Sequence, residues 1–395
     1  MVEIEFSVME NMEGDAQNLL PLLEAFEKQY HIHVNLVGIP WSKGWGEIAK
    51  FGIYGHGPDV SSIGTTWVGS LAAMQALRPF SAQQVRAMGG AEAYFKANWE
   101  SGFLPGDPRP WSIPWLGDAM VFYYWKDKLV EAGISDAEAA LSSDTILLET
   151  LQKLQAAGIQ YPISLTTGND SVILHETAHW IWNAGGDFVS PDNRHAAFDE
   201  PAAMQGLHNY FSLRPYIAQG SLGAANAEGL FVERHSAIQA AGPWLGMLGR
   251  QQHQDWGDRL GIAPMPGLAY SGGSSFVIWQ YSQHPQEAFE LVSFLGNQPA
   301  HFPASPHDHQ VPVRRDVLHM PLTEDDPFAR TYVESLERGK HFPTMRLWGA
   351  VEDKLISTIV AIWAERNANP GEDLDACLHK HIDPLAQRLN IVLGN

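Results

Sequence analysis

The chain has 395 residues, 45% of them hydrophobic and 11% aromatic, enough apolar material to fill the cores of two or three ordinary domains. Its 25 Lys and Arg against 45 Asp and Glu leave a net charge of −20 with no basic block, which argues against nucleic acid as a partner. One cysteine, Cys377, excludes an internal disulfide framework and a thiolate zinc knot, and no apolar run approaches the ~18 residues of a membrane span.

The first residues, Met1-Val2-Glu3-Ile4, carry no basic leader, which leaves two expectations: a cytosolic chain, or a mature form whose signal peptide has been removed. Ile4 to Met9 reads as a strand. Leu19, Leu22, Leu23, Phe26 and Tyr30 recur at helical spacing, with Pro21 tolerated in the first turn. Ile32, Val34 and Leu36 alternate as a strand does, Asp59 to Ile63 is another strand, and a Gly64-Thr65-Thr66 turn leads into a helix from Trp67 to Ala76. This β-α-β-α order predicts a mostly parallel sheet.

Gly102 to Gly117 reads as a loop rich in Gly, Pro and Trp, and Met120 to Tyr124 as a strand. A helix carrying Leu147, Leu151 and Leu154 ends at Gly158, which suits a C′ position. Further helices are expected at 172–184, 201–213, 244–252, 285–295, 326–336, 348–364 and 373–389, with short strands at 236–240, 260–263 and 274–278 among them. There is no internal repeat, no low-complexity tract and no clean linker, so the domains are expected to exchange chain segments.

The sharpest motif is His175-Glu176-Thr177-Ala178-His179, an HExxH on a helix, whose spacing puts both imidazoles on one face as a zinc hydrolase requires, with Glu176 as base. Its surroundings weaken that reading. Trp182 and Gly185 stand where an extended metzincin motif has Gly and His, and Asp199 and Glu200, the available third ligands, sit beside Pro201 at a helix start. With 17 histidines in the chain, the competing expectation is histidines of a cleft or surface helix. A glycoside hydrolase would draw two carboxylates from Glu10, Glu13, Asp118, Asp187 and Glu352, a pairing that sequence cannot show. Phosphate-binding glycine loops and the G-x-S-x-G elbow are absent.

The 14 tryptophans are the more informative pattern. Trp41, Trp45, Trp67, Trp115, Trp244 and Trp348 each stand where a strand or loop hands over to a helix, the edge at which open α/β sheets bind ligands. Flat apolar faces beside Thr, Asp, Asn and Ser suit a polyhydroxylated ligand with apolar C–H faces.

Several segments, in order, resemble the extracellular solute-binding proteins of carbohydrate ABC importers, family 1, of maltose-binding type: IEFSVMEN with LLPLLEAFEKQYHIHVNLVGIPW, GPDVSSIGTTWVGSLAAMQALRPF, WSIPWLGDAMVFYYWKDKLVEAGI, HWIWNAGGDF, AAGPWLGML, LGIAPMPG with SGGSSFVIWQYSQHPQEAFELVSFL, VPVRRDV and FPTMRLWGAVEDKL. Thr66 departs from the Asp that many relatives carry, and the segment Phe302 to Gln310 departs from the usual Gly-rich approach to VPVRRDV. The resemblance implies a periplasmic-binding-protein-like type II α/β fold. It has two lobes, each a central sheet flanked by helices, joined by three crossovers. Residues 1–116 and 264–314 would form lobe I, and 117–263 and 315–395 lobe II, with the ligand in the cleft between them and hinge closure as the functional event.

Carried over position by position, the resemblance implies ligand contacts from Glu10, Asn11 and Glu13 after the first strand, and from Trp41 and Trp45 after the second. It adds Thr66 and Trp67 in the third turn, Trp115 and Asp118 at the first crossover, and His175 on the lobe II helix. Trp244, Gly273 and Ser274 at the second crossover, and Trp348 complete the set, with Glu352 one turn beyond. For Glu10 the competing expectation is pairing with a helix N-terminus, and for Thr66 a helix cap. No catalytic residue, metal ligand or cofactor is implied. The expected partners are a small carbohydrate and the ABC permease subunits, for a monomer placed outside the cytoplasm, periplasmic or lipid-anchored.

Overall fold

The computed structural model describes residues 2–10, 14–246, 256–297, 311–318 and 327–394, and among these the strands form one seven-stranded and one four-stranded sheet. The strands are β1 (Val2–Glu10), β2 (Ile32–Pro40), β3 (Val60–Gly64), β4 (Leu77–Arg78), β5 (Ile113–Ala119), β6 (Val121–Trp125), β7 (Tyr161–Ser164), β8 (Ser236–Ala241), β9 (Leu260–Pro264), β10 (Ser271–Trp279) and β11 (Val311–Pro312). The helices that matter here are α1 (Leu20–Tyr30), α2 (Trp41–Tyr54), α3 (Asp144–Ala156), α4 (Val172–Asn183), α5 (Pro201–Phe211), α6 (Ala224–Val232), α7 (Pro285–Gly296), α8 (Trp348–Ala368) and α9 (Leu374–Leu393). Proximity of Cα atoms divides the chain into a first unit of 1–118, 271–329 and 341–349, and a second of 119–270, 330–340 and 350–395. The stretch 341–349, with Trp348, therefore packs in the first unit, whereas the sequence expectation set all of 315–395 in the second lobe.

In the first unit the strand order is β11-β5-β10-β3-β1-β2, with β4 against β10. β1 and β2 pair in parallel from Val2 opposite Ile32 to Glu10 opposite Pro40, and β1 is also parallel to β3. The apolar face of α1, Leu22, Leu23 and Phe26, packs inward; Phe26 lies against Tyr30 and against Phe294 of α7. The expectation of a mostly parallel sheet is corrected: β10 runs antiparallel to β3, and β11 antiparallel to β5. β10 reaches the sheet from a distant part of the chain rather than through a crossover helix, so no βαβ rule fixes its direction.

In the second unit the order is β7-β8-β6-β9, with β7 and β8 parallel and β6 antiparallel to both of its neighbours. Beside this sheet α4 is buried almost all round, its polar residues Glu176, Thr177 and His179 included. It packs on α5, and Gly206 lets the two helices approach closely: a Cβ there would stand 2.5 Å from the carbonyl oxygen of Trp180. The predicted leucine helix is α3, capped by Ser143 and ended by Gly158 at φ 85°. The span 102–117 is not all loop, since β5 occupies Ile113–Ala119. The predicted helix 244–252 begins at 244, and its remainder from 247 lies outside the described residues. No described helix is long and apolar enough to cross a membrane.

Candidate functional site

Three strands of the first unit end together. β1 finishes at Glu10, β2 at Pro40 and β3 at Gly64, and the chain turns directly into α2 after β2 and into a short 3-10 turn, Thr65–Trp67, after β3. These two turns carry three indoles to the carboxyl edge of the parallel strands. Trp41 and Trp45, on successive turns of α2, stand 5.5 and 5.9 Å from Trp67, ring centre to ring centre. Two glycines make room for the group: a Cβ on Gly44 would meet Trp67 at 2.7 Å, and one on Gly64 would meet Trp41 at 3.2 Å. Trp41 and Trp67 are half-buried on the core beneath, while Trp45 remains 37% exposed. A tilted cluster of indoles with one open member is the arrangement that an apolar ring face can stack on.

Glu10 stands beside this cluster but is already engaged. Its Oε1 accepts from the backbone N–H of Gly14 at 3.2 Å and of Ala16 at 3.0 Å, anchoring the 3-10 turn Asp15–Leu19, and its carboxyl lies against Gly38, where a Cβ would be 2.3 Å away. That geometry is the helix-terminus pairing expected of an acid at this position. Asn11 and Glu13 lie outside the described residues. Thr66 sits inside the 3-10 turn rather than before it, and no side chain caps that turn, so the capping role is corrected.

Two of the expected stacking residues are packed against protein instead. Trp115 is 6% exposed and stacks on Phe276 with centroids 4.5 Å apart, and Trp348, fully buried, stacks on Phe342 at 5.0 Å. At the end of β5, Asp118 is half-buried; its Oδ1 is closed off from solvent and accepts no hydrogen bond, and burial pushes its carboxyl up to about 7. Gly273 explains how β10 comes so near: a Cβ there would sit 2.0 Å from the Leu116 oxygen. Ser274, buried next to it, pairs with Gly64 in the β10–β3 ladder.

In the second unit Trp244 opens the helix that follows β8 and Gly242-Pro243, half-buried, with its Nε1–H donating to Oε1 of Glu228 at 2.5 Å. Glu228 lies on the buried face of α6, and desolvation pushes it up to about 7 although the indole hydrogen bond acts the other way. His175 stacks flat on Tyr270, and burial drives its imidazole down to about 3. Glu352, on α8, is likewise pushed up to about 7 by burial and then by Asp353. Sequence reasoning missed Tyr270 and Glu228. Nothing marks Tyr270, whereas Glu228 stands out afterwards as the acid within an otherwise small and apolar helix.

The HExxH geometry does not assemble a metal site. The ring nitrogens of His179 lie 2.8 Å from Asp144 Oδ1 and 3.0 Å from the Leu268 oxygen, while Glu176 accepts from the backbone and hydroxyl of Thr166. Among the described residues no trio of metal-capable donors includes His175 or His179. The zinc hydrolase alternative is therefore unsupported, and the motif is the buried interior of a packed helix.

A family model described as bacterial extracellular solute-binding protein matches residues 11–301. A galactooligosaccharide-binding protein of Bacillus subtilis (strain 168) is 22% identical over 371 residues, covering 89% of this chain and 82% of its own length. A probable ABC transporter-binding protein of Deinococcus radiodurans is 23% identical over 253 residues, 60% of this chain, and the match spans only 58% of that relative. Among solved structures, the sugar-binding protein MalE of Xanthomonas citri superposes with a TM-score of 0.80 at 22% identity, over 99% of this chain and 97% of its own. The fold is that of the two-lobed, type II periplasmic binding proteins, as the resemblance implied.

Proposed function

The chain belongs to the bacterial extracellular solute-binding protein family, and from that premise we propose that it is the carbohydrate-capturing component of an ABC importer. It takes a mono- to small oligosaccharide and hands it to membrane permease subunits, with no chemical step. The observation that carries the sugar reading is the indole cluster Trp41, Trp45 and Trp67 at the carboxyl edge of β1, β2 and β3. Sugars present apolar C–H faces ringed by hydroxyls, and such a cluster binds the face while nearby polar groups bind the rim. The names of the Bacillus and Xanthomonas relatives point to the same ligand class.

In the first unit Asp118, whose Oδ1 accepts no hydrogen bond, offers a polar group to this reading. The family acts outside the cytoplasm; this member works there as a monomer, free in a periplasm or lipid-anchored. The test is a thermal-shift and calorimetric panel of mono-, di- and trisaccharides on the purified chain. A ligand binding only the folded state at ~100 times its Kd adds about 2.7 kcal/mol. A rise confined to particular sugars supports the proposal, and silence from every sugar with a response to a charged solute overturns it.

A further inference from the structure

One group of donors in the second unit lies outside everything the sugar reading uses. α8 and α9 are joined by a short turn, and Glu365 near the end of α8 faces Cys377 and His381 of α9. One ligand atom from each of the three lies within 4.8 Å of the others, and among the described residues no second trio of His, Cys, Asp or Glu does this. The spacing has a plain cause: residues 377 and 381 are one helical turn apart and share a face.

The setting suits an ion. Cys377 is fully buried, while the side chains of Glu365 and His381 are 16% and 21% exposed, so the group has a closed floor and an accessible rim. Glu372 lies in the turn between the two helices. Its Oε2 is buried and accepts no hydrogen bond. Glu365 is shared between the Lys380 ammonium and His381 Nε2, the latter at 2.6 Å, so a compact positive charge is what this carboxylate already gathers.

We propose that Glu365, Cys377 and His381 bind one borderline-soft divalent ion of zinc type, with water as the fourth donor, and so clamp α8 to α9. Sulfur and imidazole nitrogen select such an ion over calcium or magnesium, which take oxygen ligands. On binding, the Cys377 thiol gives its proton to solvent, His381 binds as neutral imidazole, and the ion takes the place of Lys380 at Glu365. The site is independent of sugar capture.

The test uses the whole chain, stripped with a chelator and titrated with cobalt(II) without sugar. The expected result is one equivalent bound, a sulfur-to-cobalt charge-transfer absorption, and displacement by zinc. Cys377→Ser should abolish the absorption, and His381→Gln should weaken binding by more than about 100-fold, beyond the loss expected from an outer-shell partner. His379→Gln, which alters a separate pair with Asp383, should bind as the parent does. Circular dichroism reports folding; should Cys377→Ser not fold, the more exposed His381→Gln decides. Absence of a saturable equivalent, or binding without the absorption, or binding unchanged in the His381 variant, overturns the proposal.

Discussion

The imidazole of His175 lies flat against the phenol of Tyr270, ring centroids 3.9 Å apart and planes 11° from parallel. The protonated ring would have to shed its water to sit there, and burial accordingly drives it down to about 3. In the unfolded chain a histidine titrates near ~6.5. Below that value the unfolded state binds a proton the folded state refuses, so stability falls as the pH drops from about 6.5 toward 3. His175→Phe keeps a flat ring and has no such proton. In urea unfolding at pH 7.5 and pH 5, the variant should gain on the parent chain upon acidification, by up to about 1.4 kcal/mol per pH unit below 6.5. A difference independent of pH would mean that the folded ring titrates normally.

The indole cluster makes the sharpest prediction about ligand. Trp45 is 37% exposed, so Trp45→Ala should leave the melting temperature nearly unchanged while weakening sugar binding by about tenfold or more, ~1.4 kcal/mol. Trp67→Ala should weaken it further, because Trp67 is the ring that both Trp41 and Trp45 lean on. Calorimetry with the best sugar of the panel measures both. Full affinity in the two variants would remove the cluster from the binding surface.

How far such features can be read from sequence depends on what sets them. Helix α1 and the first half of strand β2 are legible because their burial is one-sided and periodic: Leu22, Leu23 and Phe26 share a face of α1, Ile32 and Val34 a face of β2, and Gly158 takes the positive φ that its position after the leucine helix demands. β5 is not legible. Ile113 to Gly117 are all buried, so no alternation survives, and the Pro and Gly among them imitate a loop. The indoles show the same limit at the site. The sequence puts Trp45 and Trp115 alike at element junctions, yet Trp45 is open on α2 and Trp115, inside β5, stacks on Phe276, a residue far along the chain. The HExxH spacing is correctly helical, but its meaning is decided by Asp144, Leu268 and Thr166, which only the fold brings to it.

Glu228 should show a pH dependence opposite to that of His175. Its folded carboxyl, pushed up to about 7, holds a proton that an unfolded glutamate near ~4.3 has already released. The folded state then binds more protons between those values, so this contribution is complete below about 4.3 and is lost as pH rises through about 7. Glu228→Gln retains a carbonyl acceptor for the Trp244 indole and removes the titration. Its stability relative to the parent should therefore rise between pH 5 and pH 8, by up to about 1.4 kcal/mol per unit, as measured by urea unfolding. A variant that instead loses ground as pH rises would place the ionised carboxylate, not the acid, in the folded protein.

Gly273 and Gly229 test the backbone argument as a pair. Gly273 has φ 120°, and a Cβ on it would stand 2.0 Å from the Leu116 carbonyl oxygen and 2.9 Å from the Asp118 nitrogen, both backbone atoms of β5 that cannot step aside. Gly273→Ala must either part β10 from β5 or strain a left-handed backbone, and should cost about 3 kcal/mol or more. Gly229 lies within α6, with nothing inside 4 Å of its would-be Cβ. Gly229→Ala removes only the entropy a helical glycine loses on folding, and should stabilise by about 0.5–1 kcal/mol. Thermal unfolding of the two variants should thus move in opposite directions; a Gly273→Ala protein as stable as its parent would show that β5 and β10 do not approach as closely as the ladder requires.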